Sequence, residues 1–128
     1  MIKLILISTL LFSTLIFSSP SYAKWTKVSE GVAKIQYVDF EKIRKNNGYV
    51  YFWQLLDNLK PTKYEILSSK IYNQGDCKLF RYKNLSSVVY KQPMGQGWWR
   101  TSPQKKPEWR YPSPGSVIEV ILKRICSR

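Results

Sequence analysis

The chain has 128 residues, of which 21 are basic and 8 are acidic, and it contains two cysteines and no histidine. The lack of histidine excludes Ser-His-Asp and Cys-His catalysis and leaves too few ligands for a closed zinc site. A formal net charge of +13 favours anionic partners such as lipid head groups, acidic glycans or nucleic acid, or else serves only to keep the chain soluble.

Residues 1–23 have the pattern of a secretory signal peptide. An apolar run at 4–17 follows Lys3, and small residues lead to a cleavage site after Ala23. The alternative is an uncleaved anchor helix, which the short run disfavours. Cleavage would leave residues 24–128 as one domain without an integral membrane span, in the periplasm or outside the cell. Export also makes nucleic acid the least favoured anionic partner.

Runs of alternating apolar and polar residues predict an antiparallel sheet of about five to six strands. The runs lie at 25–28, 33–39, 49–57, 64–73, 77–82 and 86–90. The run at 49–57 has large apolar residues at both odd and even positions, which point to opposite faces of a sheet. We therefore predict that it is central and at least partly covered on both faces. A single helix covers one face only. The other face is closed by a Trp-rich segment downstream, or it is left for a partner or for a second copy of the chain in a homodimer.

The C-terminal segment predicts one amphipathic α-helix. Ser116 and Glu119 have the spacing of a capping box, and apolar residues then recur at i, i+3, i+4 and i+7. Cys77 and Cys126 are expected to pair, because an exported chain meets an oxidising environment. The bond would close a loop of about 50 residues and stabilise the fold by ~4 kcal/mol. A metal site is a poor alternative, since two thiolates do not complete a tetrahedral set.

These elements together predict an α+β fold. It consists of one antiparallel sheet with a C-terminal helix packed on one face and tied there by the disulfide.

Three acidic residues are the best placed for catalysis: Asp39, Asp57 and Asp76. Each ends an element next to turn residues, where capping or turn closure is the common role of a carboxylate. We therefore expect a protein that is not an enzyme and that needs neither a metal nor a cofactor.

The segment 98–114 is rich in Trp, Pro, Lys and Arg, and its prolines predict an ordered loop rather than a strand. It is the best candidate for a binding surface, because Trp and Arg often anchor interfaces and an indole beside a guanidinium suits a sugar face or an acidic chain. The alternative is that its tryptophans form a lid on the sheet and its lysines are merely solvated. The candidate binding residues are Trp98, Trp99, Arg100, Lys105, Lys106, Trp109, Arg110 and Tyr111.

Several short pieces occur in a characteristic order along nearly the whole of residues 24–128. They are Trp25-Thr26-Lys27-Val28, Tyr37-Val38-Asp39 with Ile43, Trp53-x-Leu55-x-Asp57, Asp76-Cys77, Tyr90 with Met94-Gly95-x-Gly97, and Pro114-Gly115-Ser116 before a helix ending at Cys126. Together they resemble the surface-adhesin protein E family. The resemblance implies a compact antiparallel sheet with a C-terminal helix held by a Cys77–Cys126 disulfide. It also implies an exported protein that binds host matrix proteins such as vitronectin and laminin.

The chain departs from the lipid-anchored protein that gives this family its name. No cysteine occupies the predicted cleavage site, so there is nothing to lipidate, and a soluble periplasmic or secreted protein fits the residues better. Two hypotheses follow. The first is a binder of a protein or an anionic glycan that uses the basic aromatic loop and the exposed sheet face. The second is a structural component of the cell envelope, held to anionic lipid or polysaccharide by charge alone.

Overall fold

A computed structural model of the chain describes residues 23–103 and 105–128. Within these ranges the chain forms seven antiparallel strands, β1 (Thr26–Glu30), β2 (Lys34–Val38), β3 (Arg44–Asn46), β4 (Tyr49–Asn58), β5 (Ser68–Asp76), β6 (Arg81–Tyr90) and β7 (Trp99–Pro103). One α-helix, α1, spans Val117–Cys126. The predicted signal peptide lies outside the described residues except for Ala23. The predicted α+β fold class is confirmed.

The most strand-like run of the sequence forms β4, and β4 lies inside the sheet as predicted. The strands follow the order β1-β2-β4-β5-β6-β7. Both β2 and β3 pair with the same edge of β4, β2 along its C-terminal half and β3 along its first residues. The opposite edge of β4 pairs with β5 from Val50 to Asp57. β4 is therefore the strand that joins the two halves of the sheet, and it contributes Val50 and Phe52 to the core.

The helix begins with the predicted capping box. The Ser116 hydroxyl accepts a hydrogen bond from the Glu119 backbone nitrogen at 3.2 Å. The Glu119 carboxylate in turn accepts one from the Gly115 backbone nitrogen, also at 3.2 Å. One backbone donor in the first turn and the nitrogen just before the N-cap are thereby satisfied by side chains, which fixes where the helix starts.

The apolar stripe of α1 packs on one face of the sheet and forms the core. Ile121, Leu122 and Ile125 are fully buried. They pack against four buried residues of the sheet and its connections, which are Val38, Phe40, Val50 and Phe52. Burying apolar side chains of this size stabilises a fold by roughly 1.5–3 kcal/mol each, so this contact supplies much of the stability.

Among the residues that the structure describes, α1 included, no helix is both long and apolar enough to cross a bilayer.

A disulfide joins Cys77, in the turn after β5, to Cys126, the last residue of α1. The two cysteines are 49 residues apart in sequence, and their Cα atoms are 5.5 Å apart. The bond ties the end of the helix to the sheet, which confirms the predicted pairing.

The connection between β5 and β6 differs from the prediction of a strand at 77–82. A turn occupies the first four of these residues, and β6 begins at Arg81. The Asp76 carboxylate closes the turn by accepting hydrogen bonds from the backbone nitrogens of Lys78 and Leu79, at 3.1 and 3.2 Å. Such local bonds compete with the pairing of a strand. Leu79 therefore lies in this turn and does not share a strand face with Cys77.

Asp76 is kept ionised by its surroundings. Its side chain is only 8% exposed, and this burial taken alone raises the pKa. The hydrogen bond from the Arg81 guanidinium, at 3.0 Å, the two backbone donors and the charge of Arg81 outweigh the burial and hold the pKa below its usual 3.8. A charged Asp76 thus holds the turn that carries one end of the disulfide.

The prediction that the whole of 98–114 forms a loop is wrong, because its first part is β7, paired antiparallel with β6. Pro103 is the last residue of this outermost strand, where its missing N–H breaks little of the ladder. Further along, the backbone of Arg110 exchanges two hydrogen bonds with Tyr82 of β6, at 2.8 and 2.9 Å. The segment thus returns to the sheet at a second point.

Candidate functional site

The candidate site is the face of the sheet opposite α1. Gly75 of β5 faces the helix, where an added Cβ atom would lie 2.9 Å from Leu122 Cδ1. Side chains alternate along a strand, so Tyr72 and Lys70 of β5 point to the other face. Their partners on β4 and β6 share that face, and they are Trp53, Leu55, Ser86 and Val88. We call this the helix-free face.

Aromatic rings occupy the middle of the helix-free face. The ring centroid of Tyr72 lies 4.7 Å from that of Trp53 and 6.1 Å from that of Tyr51. Gln74 donates a hydrogen bond to the Tyr51 hydroxyl at 3.1 Å, which fixes the third ring. All three rings are half-buried, so each keeps part of its surface open to solvent.

Trp109 covers one end of this face. Its ring centroid lies 5.6 Å from that of Tyr49, and the Arg81 guanidinium and the Lys83 ammonium lie 4.3 and 4.4 Å from it. The indole is half-buried between these side chains. Trp109 therefore packs on the sheet as a lid residue would, and its binding role stays a prediction.

The three acidic residues considered for catalysis all accept backbone hydrogen bonds. Asp39 accepts one from the nitrogen of Glu41 at 3.1 Å, and Asp57 accepts one from the nitrogen of Met94 at 2.9 Å. Asp76 closes the turn described above. The bond to Asp57 also helps to hold the short turn after β6 against the second end of the helix-free face.

A cleft of about 260 Å³ lies between the two covered ends. Separate parts of the chain line it, with Trp25 from the segment before β1, Trp53 from β4, Lys70 from β5 and Tyr90 from β6. The Lys70 ammonium lies 5.8 Å from the ring centroid of Trp25 and 5.2 Å from that of Tyr90. We call this site the aromatic cleft.

Lys70 is the distinctive group of the aromatic cleft. Within residues 23–103 and 105–128 no carboxylate pairs with its ammonium. Burial lowers the pKa of Lys70, and burial likewise raises the pKa of the neighbouring Tyr90 hydroxyl. Both shifts have the same cause, because a partly dry site disfavours the charged form of each group.

Two of the predicted binding residues lie beside this cleft. Trp99 of β7 pairs with Tyr90, so it lies on the helix-free face, and its side chain is 61% exposed. Trp98 is 54% exposed, with the Lys91 ammonium 5.5 Å from its ring centroid. Alternation along the strand places Arg100 on the opposite side of β7.

The other predicted binding residues are exposed but do not form one patch with these tryptophans. Lys105, Lys106 and Arg110 make no ion pair with any residue that the structure describes. Tyr111 is 66% exposed. The predicted set is thus divided between the edge near the aromatic cleft, the Trp109 lid and the solvated segment that joins them.

Sequence reasoning did not single out the residues of the aromatic cleft. Its members are Trp25, Trp53, Lys70 and Tyr90, which come from four distant positions. Trp25, Trp53 and Tyr90 occur in the pieces that resemble the family, and alternation in the run 49–57 puts Trp53 on one face, but neither signal brings the four residues together.

Comparison with known proteins identifies the fold. The family model described as surface-adhesin protein E matches residues 25–127. Crystal form II of Haemophilus influenzae protein E has a TM-score of 0.65 at 17% identity, over 84% of this chain and 90% of that chain. Protein E of non-typeable Haemophilus influenzae has a TM-score of 0.63 at 17% identity, over 85% and 79% of the two chains. No curated protein sequence matches the chain.

Proposed function

The chain belongs to the surface-adhesin protein E family, and on that premise we propose that it is an exported, non-enzymatic binding protein. Its partner is an acidic glycan, bound at the helix-free face and along β7. Residues 1–23 are its signal peptide and 24–128 its binding domain, placed in the periplasm or at the cell surface. Family membership supports export, and the pattern of the leader supports the boundary.

The observation that carries this proposal is the pair of exposed indoles at the edge of the helix-free face, one of them with the Lys91 ammonium 5.5 Å from its ring centroid. Trp98 and Trp99 are both more than half exposed at the border of a sheet face that α1 does not cover. Large apolar side chains stay in water at a cost in free energy, and exposed Trp with nearby basic groups is typical of interfaces. The excess of positive charge on the chain then selects an anionic partner.

The hydrogen bonds of the three acidic residues favour a binding protein over an enzyme. Asp39, Asp57 and Asp76 each accept backbone hydrogen bonds at an element end. A general acid or base needs a carboxyl group that can reach a substrate proton. These three serve the fold instead.

We predict that replacing Trp98, Trp99, Arg100 and Arg110 together by alanine lowers capture on immobilised heparin roughly tenfold or more. All four side chains are exposed, so the thermal midpoint should stay nearly unchanged. Binding is measured by surface plasmon resonance, with immobilised dextran as the uncharged reference surface. The matched control is Lys63→Ala with Tyr64→Ala, which removes another exposed lysine and ring, 5.0 Å apart, outside this region.

Three results would count against the proposal, and a fourth would change its partner. Unchanged capture by the fourfold variant would show that this surface does not bind. A collapse of its thermal midpoint would show that the tryptophans belong to the core. Capture that disappears in moderate salt for both the variant and the unaltered chain would favour attachment by charge alone. Capture by an immobilised matrix protein but not by heparin would replace the glycan with a protein partner.

A further inference from the structure

Building on the proposed role as a binding protein, we propose that the aromatic cleft binds the ring of a carboxylated sugar. Lys70 would pair with the carboxylate, and the sugar ring would lie against the indoles of Trp25 and Trp53. The cleft is separate from the exposed tryptophans of β7, although Tyr90 links the two. It is the one part of the helix-free face, within the described residues, where a cation without a carboxylate partner sits among three rings.

Charge inside the aromatic cleft selects an anion. Its lining includes Lys70 and Lys42, and also Asp39. Asp39 is 1% exposed, its two oxygens accept hydrogen bonds from the backbone nitrogens of Lys24 and Glu41, and it forms no ion pair with Lys70, so the Lys70 ammonium is the charge that we propose meets a ligand. Lys70 has lost part of its hydration, and a bound carboxylate would restore the lost stabilisation.

Size and ring chemistry select one sugar unit. A volume of about 260 Å³ is just below the roughly 300–1,000 Å³ of pockets for drug-sized ligands, so it suits a single ring. A neutral aromatic ligand would leave Lys70 without a counter-charge. A bare carboxylate such as acetate would leave the indole faces without a contact. A carboxylated sugar satisfies the lysine and the rings together.

The test titrates the mature, oxidised protein with sodium glucuronate, glucose and sodium acetate, followed by tryptophan fluorescence. We expect saturable binding of glucuronate that is roughly tenfold or more tighter than that of glucose or acetate. Lys70→Met keeps the length of the side chain but removes its charge, and it should abolish this preference. Lys63→Met is the matched control, since Lys63 also lies over an aromatic ring but is exposed and outside the cleft.

Equal affinity for glucuronate and acetate would overturn the inference. Unchanged affinity of Lys70→Met for glucuronate, or no saturable binding of glucuronate, would overturn it as well. These failures differ from failure of the proposed function. Heparin capture that depends on Trp98 and Trp99 without glucuronate binding overturns only the cleft site. Glucuronate binding at the cleft without heparin capture overturns only the polymer-binding surface.

A different contact carries a second inference, about maturation. The backbone nitrogen of Lys24 donates a hydrogen bond to Oδ2 of Asp39 at 3.2 Å. If the signal peptide is cleaved after Ala23, this nitrogen becomes the α-ammonium of the mature chain. We infer that cleavage converts the hydrogen bond into a partly buried ion pair that holds the N-terminal segment, and with it Trp25, beside the aromatic cleft. Hydrogen bonds between charged groups are about twice as strong as those between neutral ones.

The same cleavage would alter the cleft itself. Ala23 is one of the residues that line it, so its removal would open that wall. Trp25 follows the new terminus by one residue and lies against Lys70. A fixed terminus therefore positions one of the two indoles that are proposed to contact the ligand.

The test compares Asp39→Asn in two forms of the mature chain, one beginning at Lys24 and one with a glycine added before Lys24. Asparagine keeps an oxygen for the hydrogen bond from Glu41 but removes the charge. We expect Asp39→Asn to lower the thermal midpoint by about 5 °C more in the chain that begins at Lys24. Equal losses in the two forms would overturn the inference. An intact mass showing that the exported protein begins elsewhere would overturn it as well.

Discussion

Replacing Cys77 and Cys126 by serine is expected to lower the free energy of unfolding by ~4 kcal/mol, a large share of the total for a domain of this size. The bond closes a loop of 49 residues, so its loss raises the conformational entropy of the unfolded chain. It also frees the last residue of α1 from the sheet. Because the three fully buried side chains of the helix belong to the core, their partial release would expose Val50 and Phe52 to water.

The measurement is urea unfolding followed by circular dichroism and tryptophan fluorescence. The unaltered protein is measured with and without a reductant. Its reduced form lacks the disulfide but keeps both cysteines, so it controls for any effect of the serine side chains. Reduction and substitution should lower the urea midpoint to the same extent. If the exported protein has two free thiols, or if the double variant unfolds at the same urea concentration, the helix is held by packing alone and this account of the fold is wrong.

The elements that the sequence predicted well are those whose signals are local. In α1 the capping box of Ser116 and Glu119 and the apolar stripe all lie within one short segment. The same holds for β4, whose run of aromatic and branched residues needs no information from elsewhere in the chain. The disulfide was predictable for another reason, since an exported chain with two cysteines has one pairing to make.

Elements that depend on distant partners were not predictable in this way. Trp98 and Trp109 look alike in the sequence, in one segment rich in proline and basic residues. In the structure Trp98 is exposed, whereas Trp109 packs on the sheet because its neighbour Arg110 is bonded to Tyr82 of β6. Residues 82 and 110 are 28 residues apart in the sequence, and no local pattern predicts that they pair.

The aromatic cleft shows the same limit for a site. Trp53 faces Lys70 and Tyr90 only because the register of three strands puts them on one face, and a shift by one residue would reverse every side chain. Trp25 joins them because the chain before β1 runs past the end of that face. The kinds of residue in the site were readable from the sequence, but their assembly required the pairing of the strands.

The two faces of β4 can be tested with adjacent residues. Phe52 is fully buried under α1, whereas Trp53 points to the helix-free face and is half-buried. We expect Phe52→Ala to lower the free energy of unfolding by about 3–5 kcal/mol, through lost apolar burial and the cavity that it leaves. Trp53→Ala should cost roughly 1–2 kcal/mol, because its ring is partly in water in the folded protein. Urea unfolding of both variants measures the difference.

Ligand affinity should show the opposite order, with the larger loss for Trp53→Ala and the smaller for Phe52→Ala. Trp53→Ala removes one indole of the aromatic cleft, so the folded variant should lose glucuronate binding roughly tenfold or more. Phe52→Ala, assayed well below its thermal midpoint, should keep the affinity of its folded fraction, because it contacts only the core. If Trp53→Ala unfolds as readily as Phe52→Ala, the helix-free face is a second core rather than a binding surface. The contrast between two neighbouring positions on one strand therefore tests whether this sheet uses one face for stability and keeps the other for a ligand.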